Sequence, residues 1–290
     1  MMLQRKLPFS DAHCHSNPVS GLGARRIAEK FVEAGGWFLS LVMLPSWSYS
    51  GSQALTLEEY IRLVNLHVRE CESARAVGLK VACFAGYHPA EIDRAIEKGL
   101  SYRKIVELGR GIIDVLVKLC VEGRLQGIGE IGRQHYKTRP ESVVVANELL
   151  HYAMVRSRDS NCTIQLHLEN TEGFTVPQIE TVIQKVGMPK NLIILHHVRP
   201  RLLKEAIERG LWSTTPGVYE SLKIALESFK ARNTLVESDF LDDPKRPGAV
   251  IEPWRLIEHQ VRLHEQGVVD DRVLEKLNVS NVEAVFRISP

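Results

Sequence analysis

Phe38-Leu39-Ser40-Leu41-Val42-Met43-Leu44 is an apolar run interrupted by a single serine. Apolar and polar residues do not alternate in it, so it does not describe a strand with one wet face. A run this continuous suits a strand covered on both sides, as in a parallel sheet flanked by helices. With its flanking residue it forms the run Trp37–Leu44, and seven others resemble it: Leu7–Ala12, Leu79–Gly86, Leu125–Ile131, Cys162–Leu168, Leu192–Leu195, Leu211–Thr215 and Thr234–Glu237. Stretches with helical periodicity separate them: Ala24–Ala34, Leu57–Val77, Ser101–Val121, Glu141–Ser157, Val176–Val186, Arg201–Arg209 and Tyr219–Ala231. Glu252–Glu265 and Asp271–Phe286 follow the last run. Thr56 with Glu59 three residues on reads as a capping box, and Gly35-Gly36 as a helix stop. Eight strands alternating with helices predict an α/β protein, a (β/α)8 TIM barrel, with residues 1–290 as a single domain. The alternative, an open doubly wound sheet, lacks the expected support, because no GxGxxG or GxxxxGK[ST] follows an early strand.

Composition is that of a globular protein. Of 290 residues, 44% are hydrophobic and 25% charged, enough to build a core without staples. A net charge of +2 gives no general pull toward polyanions, although Arg25-Arg26, Arg199 with Arg201, and Lys245-Arg246 are local basic clusters. The five cysteines are scattered with no CxxC pair, which predicts buried thiols in a reducing cytosol. Met1 to Lys6 carries no apolar signal region, and no apolar run reaches membrane-spanning length. The expectation is a cytoplasmic protein with no membrane association.

Five strand ends carry metal-binding side chains: Asp11-Ala-His13-Cys-His15, Gly129-Glu130-Ile-Gly132, Gln165-Leu-His167, Leu195-His196-His197 and Glu237-Ser-Asp239. Side chains alternate faces in a strand, so Asp11, His13 and His15 share one side and two imidazoles can reach one divalent ion. Asp11 either binds the ion directly or orients a ligand from the second shell. His196 and His197 are adjacent and would face opposite ways, so one is a ligand and the other supports or packs. Each of these residues also has a plain structural reading, as a salt-bridge acid, a helix cap or a packed histidine. Their joint placement at barrel strand ends, where functional groups collect, favours a metal site. His88, after the third run, either contacts substrate or caps its loop. Trp47 and Tyr49 either stack on a substrate ring or anchor their loop. His67, His135, His151, His259 and His264 read as surface or packing residues.

In this order, Asp11-Ala-His-Cys-His15, Gly86-Tyr-His-Pro89, Gly129-Glu-Ile-Gly132, Leu166-His167, Leu195-His196 and Glu237-Ser-Asp239 resemble the motifs of TatD-like metal-dependent hydrolases of the amidohydrolase superfamily. Asn281-Val-Glu-Ala-Val-Phe286 is a further echo. The resemblance implies one or two divalent ions (Zn, Mn or Mg). His13, His15, Glu130 and Asp239 would hold one, and Glu130, His167 and His196 the other. His196 is favoured over His197, which becomes a second-shell residue with Asp11. Many members of the family are deoxyribonucleases. Three positions depart from the family pattern: Arg133-Gln134 stand where Leu-Asp is usual, Leu168-Glu169-Asn170 where an arginine is usual, and His197-Val198 where Cys-Phe is usual. The expected ligands are intact, while Glu169 adds a negative charge near the mouth.

The leading expectation is metal-dependent hydrolysis of a phosphoester, in nucleic acid or a small molecule. Asp239 and Glu130 would be catalytic, and His88, Arg133 and Arg199 would bind substrate. A lactonase or amidase acting on a carbonyl carbon, and a non-catalytic ligand-binding barrel, are the alternatives.

Overall fold

The computed structural model describes residues 7–290; the stretch 1–6, which bears on the signal-peptide expectation, lies outside the described residues. The eight expected strands are present: β1 Phe9–Cys14, β2 Gly36–Val42, β3 Lys80–Ala85, β4 Gly127–Gly132, β5 Thr163–His167, β6 Ile193–Leu195, β7 Trp212–Pro216 and β8 Thr234–Glu237. They form one sheet in sequential order, and their parallel pairing with intervening helices makes the fold a (β/α)8 barrel. The helices are α1 Ala24–Glu33, α2 Trp47–Ser50, α3 Leu57–Arg75, α4 Pro89–Glu97, α5 Tyr102–Val121, α6 Pro140–Ser160, α7 Thr175–Val186, α8 Pro200–Glu208, α9 Tyr219–Phe229, α10 Pro253–Glu265, α11 Asp271–Glu275 and α12 Asn281–Phe286. Sequence periodicity did not reveal α2 and α4, which are short, and α11 and α12 are separated by a turn of π-helix at Lys276–Ser280. The capping box of α3 is formed: Glu59 N donates to Thr56 Oγ1 at 3.3 Å, and Thr56 N donates to the Glu59 carboxylate at 3.1 Å.

The described chain comprises two compact units, one of residues 7–41 with Glu70–Ala82 and His196–Pro290, the other of Val42–Arg69 with Cys83–Leu195. In the first, β7 pairs with β8 from Ser213↔Thr234 to Pro216↔Glu237, and β1 pairs with β2. Backbone bonds from Asp239 N to His13 O and from His15 N to Phe240 O, both 2.9 Å, link the chain after β8 to the end of β1. Every residue of β1 is buried, its polar Ser10, Asp11 and His13 included. Asn278 accepts from Ser10 N (2.9 Å) and Asn281 donates to the carbonyls of Ala231 and Thr234 (2.7 Å each), so the C-terminal helices bind the strand starts through buried amides. Asn281, part of the C-terminal motif echo, thus has a structural task.

In the second unit, β4 lies in register with β5 at both ends, Gly127↔Thr163 and Gly132↔His167. A Cβ on Gly132 would come within 2.0 Å of the His167 carbonyl oxygen, and one on Gly86 within 2.1 Å of the Glu130 carbonyl oxygen. The glycines around Glu130 therefore permit backbones to approach where side chains would hold them apart. Tyr49 is buried with its hydroxyl accepting from Leu44 N at 3.0 Å, and the Arg94 guanidinium covers the Trp47 ring at 3.8 Å. Tyr49 anchors its segment, and one face of Trp47 is covered by Arg94.

One expectation is corrected. Cys120 and Cys162 form a disulfide across a sequence separation of 42, with Cα atoms 6.3 Å apart, and Cys71 and Cys83 are likewise not free thiols. Cys14 is a free, buried thiol. Local sequence could not show this, because the end of α5 and the start of β5 meet only in the fold. Among the described residues, no helix is long and apolar enough to cross a membrane. Closing a loop of this length stabilises a fold by about 4 kcal/mol through the unfolded chain. Cys120→Ser, compared with the parent without reductant, is therefore expected to lower the thermal midpoint, and reductant is expected to erase the difference.

Candidate metal centre

The first unit gathers its site from β1, β8 and the turn after β6. His13 and His15 are both buried, and their Nε2 atoms lie 3.1 Å apart. The Asp239 Oδ1 atom is 3.8 Å from His13 Nε2, 3.6 Å from His15 Nε2 and 4.0 Å from His196 Nε2. Ligand atoms about 2.0–2.2 Å from a tetrahedral ion lie roughly 3.3–3.6 Å from one another, so this spacing is close to that of a metal shell. The donor set fits a divalent ion by chemistry as well, since neutral imidazole with carboxylate suits zinc or manganese.

Glu237, fully buried, sets the orientation of two rings. Its Oε2 is 2.9 Å from His196 Nδ1, and its Oε1 is 3.2 Å from His197 Nδ1. A carboxylate can only accept, so His196 carries its proton on Nδ1 and leaves the Nε2 lone pair toward Asp239. The His13 and His196 rings stack with centroids 3.8 Å apart. Burial raises the pKa of Glu237, but its contacts with His196 and His197 outweigh that and hold the carboxyl below its usual range. Asp239 follows the same balance, with burial opposed by His15 and His197.

His197 does not face away. β6 ends at Leu195, and His197 sits in the left-handed region at φ 55°, which breaks strand alternation. Its Nδ1 is 3.1 Å from Asp239 Oδ2. Burial pulls this imidazole down, yet the hydrogen bonds and charges of Asp239 and Glu237 raise it to about 9. Asp239 is also left-handed, at φ 49°, a conformation that aspartate tolerates better than most residues. Asp11 accepts from His13 N at 3.1 Å and from Ser238 N at 2.9 Å, so it ties the backbones of β1 and β8 and orients no imidazole. Burial pushes its carboxyl up to about 7. Asp242 accepts from Asn17 N, Leu22 N and Gly23 N, which fixes the loop after β1.

The second unit holds its own cluster. His88, Glu130 and His167 place one ligand atom each within 4.8 Å of one another. The two histidines are set up differently. His167 Nδ1 is 2.7 Å from the Arg133 carbonyl oxygen, which can only accept, so its Nε2 keeps a lone pair for a metal. His88 caps α4 instead: its Nδ1 accepts from Ala90 N at 3.0 Å, which places the proton of the neutral ring on Nε2. That Nε2 lies 3.8 Å from Glu130 Oε2, so His88 is a donor beside Glu130 and not a ligand through this atom. His135 stacks on His167 with ring centroids 4.5 Å apart, a closer role than packing at the surface.

Arg133 is buried, and both edges of its guanidinium are taken up. Nε is 2.8 Å from Glu169 Oε2, Nη2 is 2.7 Å from Glu169 Oε1, and Nη1 donates to Gln178 Oε1. It does not stand ready for a phosphate. Arg199 is exposed just before α8. Glu237 has no role among the sequence expectations; its i, i+2 spacing from Asp239, which puts two acids on one face, is the signal that points to it.

The sequence model of the family described as TatD related DNase matches residues 10–287. An uncharacterised protein of Methanocaldococcus jannaschii is 27% identical over 290 residues, covering 99% of this chain and 98% of that one. The solved TatD-like protein of Archaeoglobus fulgidus superposes with a TM-score of 0.66 at 16% identity, covering 97% of this chain and all of that one. A TatD homologue of Escherichia coli gives 0.65 at 14% identity, with 99% and 100% covered. A lactonase of Deinococcus radiodurans gives 0.59 at 13% identity, with 98% and 97% covered. At these identities the solved structures share the fold.

Removing a residue that orients a metal-bound histidine costs about 10–100-fold in metal affinity. Glu237→Gln is expected to weaken metal binding by that factor in a chelator-competition titration, while Glu237→Asp retains more of it.

Proposed function

The chain belongs to the TatD-related DNase family of metal-dependent hydrolases, and from that premise we propose that it cleaves phosphoester bonds with a metal-activated water, DNA phosphodiester first among substrates. The observation that supports this most is the convergence of His13, His15 and His196 Nε2 on Asp239 Oδ1, with Glu237 setting the His196 tautomer. His13, His15, Glu130, His167, His196 and Asp239 are the proposed ligands of one or two divalent ions, zinc, manganese or magnesium. An ion bound there would supply polarisation of the phosphoryl oxygen and acidification of a nearby water.

The protein's own groups do the rest. Asp239 would hold the attacking water in line and take its proton, and it stands ionised beside His15 and His197. His197, cationic beside Asp239, stabilises the negative charge there. Glu130 is the second catalytic carboxylate, and the Nε2–H of His88, 3.8 Å from it, is placed to donate to a substrate oxygen. The Arg133 carbonyl keeps His167 in its metal-binding tautomer. Arg199, exposed before α8, is the proposed contact for a substrate phosphate, and the Arg133 side chain is held by Glu169.

A hydrolase acting on a carbonyl carbon, lactonase or amidase in type, is the second reading. The neutralised Arg133–Glu169 pair favours it, because an uncharged substrate needs no cation.

Assay of DNA, bis(4-nitrophenyl) phosphate, lactones and amides with added Mg, Mn or Zn is expected to show turnover of the phosphoesters. Turnover of lactones alone would select the second reading. His13→Ala and Asp239→Asn are each expected to lose at least about a hundredfold in metal-dependent rate with an unchanged circular dichroism spectrum. Full activity in either folded variant would sink the site assignment.

A further inference from the structure

A cavity of about 290 Å³ opens in the second unit, lined by Arg133, Gln134, Val143, Asn147, Glu169, Phe174 and Gln178. It lies between α6 and α7, beyond the ends of β4 and β5. Its volume is at the small end of ligand pockets and suits one ring system. None of its lining residues is a proposed metal ligand, and Arg133, Gln134 and Glu169 stand where the sequence departs from its family's usual pattern.

The polar groups of this cavity are arranged without net charge. Glu169 accepts from Arg133 through both oxygens, so cation and anion cancel. Gln178 Oε1 accepts from Arg133, and Asn147 Oδ1 lies 3.4 Å from the same nitrogen. With their oxygens turned to the guanidinium, both amides keep NH2 donors for another group. Gln134 is 7% exposed; its Nε2 donates to the Pro89 carbonyl, while its Oε1 is buried with no hydrogen-bond partner among the described residues. A buried acceptor left so is costly unless something donates to it. Phe174, by contrast, leaves 59% of its surface exposed at the edge of the cavity.

We infer that this cavity is a binding subsite for an uncharged planar ring carrying both a donor and an acceptor on its edge, the chemistry of a nucleobase. The ring stacks on Phe174, its donor meets Gln134 Oε1, and its acceptor meets the amide NH2 of Gln178 or Asn147. The closed Arg133–Glu169 pair keeps the subsite neutral, so it selects a base and not a phosphate. Arg133 joins subsite and metal cluster directly: its side chain forms the wall, and its backbone holds His167 by two bonds, Arg133 N to His167 O at 2.8 Å and His167 Nδ1 to Arg133 O at 2.7 Å. A base bound here is thereby placed one residue from a proposed metal ligand. The inference rests on the phosphoester reading for its biological sense, but it is tested by binding alone.

Ligand-observed NMR titration of the intact protein with the four common nucleosides, none of which is hydrolysed, provides the test. At least one nucleoside is expected to bind, and Phe174→Ala to weaken it at least about fivefold, the lower end for loss of one aromatic stack. Phe174→Trp, which keeps a π-face, is expected to hold affinity within about twofold. No binding by any nucleoside, or unchanged affinity in Phe174→Ala, overturns the inference. Hydrolysis of bis(4-nitrophenyl) phosphate, which has no nucleobase, reports on the phosphoester reading separately.

Discussion

The buried carboxylate of Glu237 is the interaction on which the first cluster depends. An isolated carboxylate at full burial is expensive, and it persists because two imidazoles meet it at 2.9 and 3.2 Å. The same contacts decide chemistry. By accepting from Nδ1 of His196, Glu237 leaves the Nε2 lone pair on the side of His13, His15 and Asp239. Position, charge and tautomer thus come from one side chain that touches no proposed substrate.

The second cluster solves the same problem with backbone. Arg133 O takes the Nδ1 proton of His167, and close approach of β4 to β5 is possible because Gly132 has no Cβ to strike the His167 carbonyl. His88 shows the opposite setting. Its Nδ1 is committed to the N-terminus of α4, so its Nε2 becomes a donor. Two histidines of one cluster are thereby assigned different tasks by whether the partner of Nδ1 is a carbonyl or an amide N–H.

Much of this was legible. Eight apolar runs became eight strands, since a strand buried on both faces needs a continuous apolar sequence. The His13-x-His15 spacing was enough to place two rings on one face. The errors have physical causes too. His197 was read as pointing away because alternation was extended past the end of β6, where a left-handed residue turns the chain. Arg133 was read as a phosphate anchor because its partners, Glu169, Gln178 and Asn147, lie 14 to 45 residues away and belong to other elements. The Cys120–Cys162 bond was invisible for the same reason.

The sequence by itself determined the eight strands, the longer helices and which donor types reach the strand ends, because burial period and side-chain chemistry are local properties. Only the tertiary structure decided how those donors are used. The tautomer of His196 depends on an acid 41 residues on, and the charge of Arg133 is cancelled by one 36 residues on. Such pairings follow from strand register and loop path, which bring together groups whose spacing along the chain carries no information about their distance.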